Sequence, residues 1–224
     1  MNDGYKIFRK EAELIQNVYP GLKLSLDNLI YGAPIILGKI ELLTEYGSYI
    51  DSYQLKIVAV PEYPTKFPLV YELDGRIPKN VDWHVYPNDG HFCICSQPEE
   101  ILACKKGLNL HSFIEDYIKP YLFSQKFRED KGYFLRERSH GKEGVIQFFM
   151  EVFESRDLMK IVHGLSFIKY RKEPNRVDVC FCGSGKKYRK CHKDTYRKLS
   201  LFSDIELDYF IELFLNWHKN LKGI

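Results

Sequence analysis

Residues 33–60, "APIILGKIELLTEYGSYIDSYQLKIVAV", decide the fold class. Both halves are dense in β-branched and apolar residues, and Tyr46-Gly47-Ser48 interrupts them as a turn signal. The stretch therefore reads as two strands of a hairpin. Just downstream, "FPLVYELDG" at 67–75 reads as another strand, ended by Asp74-Gly75. Successive strands with short connections form an antiparallel meander, whereas a parallel sheet needs a crossover helix between each pair.

Helices are expected on both sides of this sheet. Residues 5–18 carry a rough apolar stripe of Ile7, Phe8, Ala12, Leu14, Ile15 and Val18. Residues 109–127, "NLHSFIEDYIKPYLFSQKF", return to helical spacing, with Asn109 as a cap and Pro120 as the point of a kink or split. "GKEGVIQFFMEVFE" at 141–154 is a short helix, and residues 203–222 form a closing one capped by Ser203. Charged residues and Pro174 make 169–179 read as a linker. The expected architecture is α+β, with a domain over 1–168 and a small module over 169–224.

The chain has 224 residues, 45% of them hydrophobic, enough for a packed core. Its opening residues are charged and helix-periodic, unlike a signal peptide, and no apolar run is long enough to cross a bilayer. Six cysteines without an export signal point to a reducing compartment, where thiols act as ligands or nucleophiles. A cytoplasmic protein with no membrane partner is expected. The net charge of +3 is unevenly spread: residues 169–198 carry +8, which leaves −5 on the rest.

That basic segment contains "CFCGSGKKYRKCHKD", which offers Cys180, Cys182, Cys191 and His192 as ligands. Three sulfurs and an imidazole suit a closed tetrahedral zinc site, and "GSGKKYRK" has no apolar face with which to bury scattered thiols. The run closely resembles the SEC-C motif. The resemblance implies a structural Zn2+ and a docking role, with no position left open for catalysis. Around the ligands, Lys186, Lys187, Arg189, Lys190, Lys193, Arg197 and Lys198 suit nucleic-acid phosphate or an acidic protein face, or form a solvated surface without a partner.

A second cysteine stretch, "DWHVYPNDGHFCIC" at 82–95, follows the sheet. With "YPTKFP" at 63–68 before it, the order of motifs resembles the ubiquitin-conjugating enzymes over about residues 1–150. That family has a Tyr-Pro-x-x-x-Pro turn, a strand, a histidine, and a Gly-x-x-Cys whose cysteine is the nucleophile; His84 and Gly90-His91-Phe92-Cys93 match these places. The resemblance implies that Cys93 carries an acyl group as a thioester and yields it to an amine. Where the family has an asparagine two residues after the histidine, this chain has Tyr86, so Asn88 is the substitute donor considered, with His84 structural or a base.

The combination further resembles conjugating-enzyme homologues of CBASS anti-phage operons. It implies a protein substrate with an activated C-terminus, a CBASS nucleotidyltransferase, supplied by a separate activating partner. Gly183-Ser184-Gly185-Lys186 lies within the cysteine module and is not a nucleotide loop. Cys95 competes for the nucleophile's role. Cys93, Cys95 and Cys104 also repeat the C-x-C-x8-C spacing and, with His91, offer a rival second zinc site. Besides acyl transfer, the open readings are a non-catalytic adaptor of the same fold and a nucleic-acid or ribosome adaptor.

Overall fold

The structure is a computed structural model and describes residues 2–30, 32–137 and 139–222. Four strands, β1 (Leu22–Ile30), β2 (Ala33–Leu43), β3 (Tyr49–Val58) and β4 (Leu69–Glu72), form one antiparallel sheet in sequence order. The hairpin read from residues 33–60 is β2–β3, with Ile36 opposite Ile57 and Ile40 opposite Tyr53. Alternation sends Ile36, Ile40, Leu42, Tyr53, Leu55 and Ile57 into the main core. Ile35 and Val58 join a smaller cluster instead. β1 was not expected from the sequence; its pairing with β2 shifts register between Ser25 and Ile30.

Helix α1 (Asp3–Ile15) is capped by the Asn2 side chain, which accepts from the Gly4 amide at 2.8 Å. Its buried face is Gly4, Phe8, Ala12 and Ile15. Ile7, Leu14 and Val18, expected in the apolar stripe, are exposed, because the buried stripe is narrower and the helix stops at Ile15. A helix not read from the sequence, α2, spans Gln97–Lys105.

Asn109 and Ser112 form a reciprocal capping box at the start of α3 (Leu110–Phe113). A π-helical turn over Ile114–Ile118 then leads into α4 (Lys119–Lys131). Pro120 thus stands at the start of a helix, where its missing N–H is tolerated. The expected kink or split takes the form of this π-helical turn in an otherwise unbroken helical run, and Ile114, Ile118 and Leu122 still reach the core.

The chain divides into two compact units, one of Met1–Cys95 with Ala103–Glu137, the other of Ser96–Leu102 with Arg138–Ile224. This division differs from the boundary expected at 168/169. The second unit takes in α5 (Gly141–Val152) and α6 (Leu158–Tyr170) because their apolar faces share a core with α7 (Lys193–Leu199) and α8 (Asp204–Lys222). Phe149 and Ile161 are fully buried there with Leu199, Phe210 and Phe214. Gly164 lets α6 approach closely: a Cβ there would lie 2.4 Å from the Phe153 ring. Ser203 and Glu206 cap α8 reciprocally, as the sequence suggested for Ser203.

Arg76 pins the first unit's sheet to α4. Its guanidinium donates to both Asp51 carboxylate oxygens, at 3.0 and 2.8 Å, and to Glu129 Oε2 at 2.8 Å. The hydrogen bonds from Arg76 hold the Asp51 carboxyl down at about 2. A depressed carboxylate stabilises the fold above its unfolded value, and that stabilisation disappears as the pH falls through about 2. Asp51→Asn should cost on the order of 1–2 kcal/mol near neutrality. The gap between its urea midpoint and the wild type's should close steadily from pH 5 towards pH 2.

Candidate metal centre and candidate active site

The second unit gathers the four cysteine-module ligands. Residues Cys180 to Lys187 form a tight loop closed by hydrogen bonds from the Cys180 amide to the Lys186 carbonyl, 2.9 Å, and from the Gly183 amide to the Cys180 carbonyl, 3.2 Å. Gly183 and Gly185 take positive φ of 75° and 72°, so the chain turns between its ligands without a Cβ penalty. A short 3-10 turn at Tyr188–Lys190 then brings round Cys191 and His192.

One ligand atom from each of Cys180, Cys182, Cys191 and His192 lies within 4.8 Å of the others. Cys182 and Cys191 sulfurs are 3.6 Å apart. Cys180 and Cys191 sulfurs stand 3.4 and 3.2 Å from His192 Nδ1. A zinc tetrahedron has S···S edges of about 3.8 Å and S···N edges of about 3.5 Å. The donor set and its spacing are compatible with a metal ion such as zinc.

The outer arrangement agrees. His192 Nε2 lies 3.1 Å from the Phe153 carbonyl, a contact that puts the ring proton on Nε2 and leaves the Nδ1 lone pair facing the sulfurs. Thr195 donates to the Val152 carbonyl at 3.0 Å, and Tyr196 to the Arg171 carbonyl at 2.8 Å. Buried Tyr188 and the stacked pair Phe167–Phe181 surround the cluster with apolar surface. Burial pushes the Cys180 thiol up to about 11. At Cys182 burial acts in the same direction, but hydrogen bonds from the Ser184 hydroxyl and amide, together with the Cys180 and Cys191 thiols, bring the thiol down. Lys186, Lys187, Arg189 and Lys190 are exposed, whereas Arg197 is paired with Glu173 at 2.8 Å.

The cysteine stretch in the first unit folds differently. The Tyr86 amide donates to the His91 carbonyl at 2.9 Å, and the Cys93 amide to the His84 carbonyl at 2.7 Å. Val85 and Phe92 pair between these bonds and enter the core, 2% and 4% exposed. His84, Tyr86, His91 and Cys93 therefore project from the opposite face. The Phe92 amide donates to the Val70 carbonyl at 2.8 Å and fastens the turn to β4.

Cys93 is half-buried, and a His84 ring nitrogen lies within 4.8 Å of its sulfur. His84 itself is left-handed, φ 52°, and its carbonyl also accepts from Tyr121 at 3.0 Å. Asn88 is exposed near the tip of the turn. Burial pushes the Cys93 thiol up, and the Tyr86 hydroxyl, diagonally across the turn, opposes that push. Sequence reasoning missed Tyr86, although the alternation of residues around the Asn88-Asp89-Gly90 turn carried the signal.

The rival second zinc site is not assembled. Cys104 lies in the last turn of α2, and Cys95 and Cys104 both pack against the first unit's core. Among the described residues the ligand atoms of His91, Cys93, Cys95 and Cys104 form no convergent set.

Comparison with known proteins finds the SEC-C motif at residues 178–194, the segment that carries the cysteine–histidine cluster. No curated protein and no solved structure matches the chain. Among the described residues, no helix is long and apolar enough to cross a membrane.

Purified protein should contain one zinc ion per chain by elemental analysis. Cys182→Ser or His192→Ala should lose it to a mild chelator and lower the unfolding temperature by roughly 5–10 °C. Two ions per chain would count against the assignment.

Proposed function

We propose that the protein is an acyl carrier of the ubiquitin-conjugating type, in which Cys93 holds a protein C-terminus as a thioester and passes it to an amine. One observation carries the reading: a half-buried cysteine stands at the sheet's edge, on the face opposite Val85 and Phe92, with a hydroxyl donor at its sulfur. The order of helix, antiparallel meander, cysteine turn and helix supports it as well. A thiol suits this work because even its small ionised fraction attacks thioesters readily.

His84 presents its carbonyl to the Cys93 amide and to Tyr121, so its backbone fixes the nucleophile's position. Asn88, at the exposed turn, is assigned to contacts with the incoming substrate. Cys95 packs against the core and is assigned a structural part. The activated C-terminus comes from a separate partner; a CBASS nucleotidyltransferase is the proposed substrate, and anti-phage defence the proposed setting, in the cytoplasm. The zinc of the second unit is structural.

A second reading concerns partners. Four adjacent exposed cations, Lys186, Lys187, Arg189 and Lys190, favour docking of this module on a polyanion, either an acidic protein face or nucleic acid. On that account the module recruits the partner and the first unit performs the transfer.

Incubation with an activated donor should give a Cys93 adduct that thiols remove. Cys93→Ser should trap a thiol-resistant ester or nothing, Cys95→Ala should load normally, and both variants should keep their zinc. Intact-mass measurement before and after reduction separates these outcomes. An adduct on Cys95 that survives Cys93→Ser would move the nucleophile.

A further inference from the structure

The Cys93 sulfur has a polar neighbour whose ring is held in place. Pairing of residues 84–86 with 91–93 puts Tyr86 diagonally across from Cys93 on one face. The Tyr86 ring stacks on His91, centroids 4.1 Å apart and planes 20° from parallel. His91 is held in turn, its Nδ1 2.7 Å from Asp89 Oδ1. A ring fixed in this way can aim its hydroxyl with little loss of rotamer entropy. From its diagonal position the hydroxyl is within reach of the Cys93 sulfur and favours the thiolate against the upward push of burial.

We infer that Tyr86, clamped by His91 and Asp89, is a catalytic hydrogen-bond donor to the Cys93 thiolate, both when that sulfur attacks and when it leaves. This rests on the acyl-carrier reading above. In loading, Cys93 gives its proton to solvent and its sulfur attacks the donor's thioester carbonyl. One C–S bond forms, the donor's C–S bond breaks, and the departing thiolate takes up a proton. In discharge, an amine attacks the Cys93 thioester. A C–N bond forms, the C–S bond to Cys93 breaks, the sulfur departs as thiolate, and the amine's proton goes to solvent.

Negative charge therefore rests on the Cys93 sulfur at the start of the first step and at the end of the second. Burial disfavours that charge, and the Tyr86 hydroxyl is placed to offset it. A donor on sulfur differs from a donor on the carbonyl oxyanion. It assists the leaving group directly, and a better-stabilised thiolate leaves faster. A His84 ring nitrogen also lies within 4.8 Å of the sulfur, while the Tyr121 hydroxyl is bonded to the His84 carbonyl.

The test is Tyr86→Phe, which keeps the ring and its stack and deletes only the hydroxyl. Two rates are measured on the full chain. One is alkylation of Cys93 by iodoacetamide from pH 6 to 10, read at its own peptide by mass spectrometry. The other is discharge to free lysine of a Cys93 thioester, loaded from a glycine-terminated peptide thioester of mercaptoethanesulfonate. The variant should need a pH about one unit higher for half-maximal alkylation and should discharge roughly tenfold more slowly. Its unfolding temperature and zinc content should not change. Wild-type alkylation and discharge in the variant would overturn the assignment. If the wild type never forms the thioester, the acyl-carrier reading fails while the alkylation profile still decides whether Tyr86 holds the thiolate.

Discussion

The hydrogen bond from the Cys93 amide to the His84 carbonyl, 2.7 Å long, is the constraint on which the candidate active site depends. It fixes the pairing of residues 84–86 with 91–93, and from that pairing every side-chain direction follows. Val85 and Phe92 must face the core, where Phe92 stacks on Tyr121 at 4.3 Å. His84, Tyr86, His91 and Cys93 must then face away. A slip of one residue would reverse this and bury the thiol. The register is held from both sides: Val70 accepts from the Phe92 amide, and Tyr121 and Gln125 grip the carbonyls of residues 83 and 84. Sheet and helix together aim one sulfur.

The second unit solves a different problem with the same atom type. There the backbone turns at Gly183 and Gly185 so that sulfurs one residue apart converge, and the His192 ring is oriented through the Phe153 carbonyl. Cysteines arranged in this way suit a shared ion. Cys93 has no such convergent sulfurs among the described residues; a His84 ring nitrogen lies within 4.8 Å of it, and the Tyr86 hydroxyl favours its thiolate. Neighbouring geometry, more than sequence spacing, distinguishes the two kinds of cysteine.

Much of this was legible in the chain. The β2–β3 hairpin, the Asn109 and Ser203 caps, the interruption at Pro120 and the four clustered ligands all follow from local signals, which tertiary contacts had no reason to override. The failures have physical causes. β1 carries a register shift and a polar Ser-x-Asp-Asn run, so its alternation is blurred. α2 opens with Gln-Pro-Glu-Glu, which reads as loop until its first turn is seen to tolerate Pro98. α6 contains Gly164, which looks like a breaker but serves a close approach to Phe153. Tyr86 stands out only once the register is known: the family pattern points to an amide donor, for which Asn88 is the nearest candidate, while the register brings in a phenol.

The most direct test of the account is site-resolved maleimide labelling of the native, metal-loaded protein, followed by mass spectrometry of each cysteine peptide. The account predicts that Cys93 labels first, and that Cys180, Cys182 and Cys191 stay unlabelled until a chelator removes the ion. A Cys93 that stays inert until the chain is denatured, or that becomes reactive only together with the metal cysteines, would contradict it.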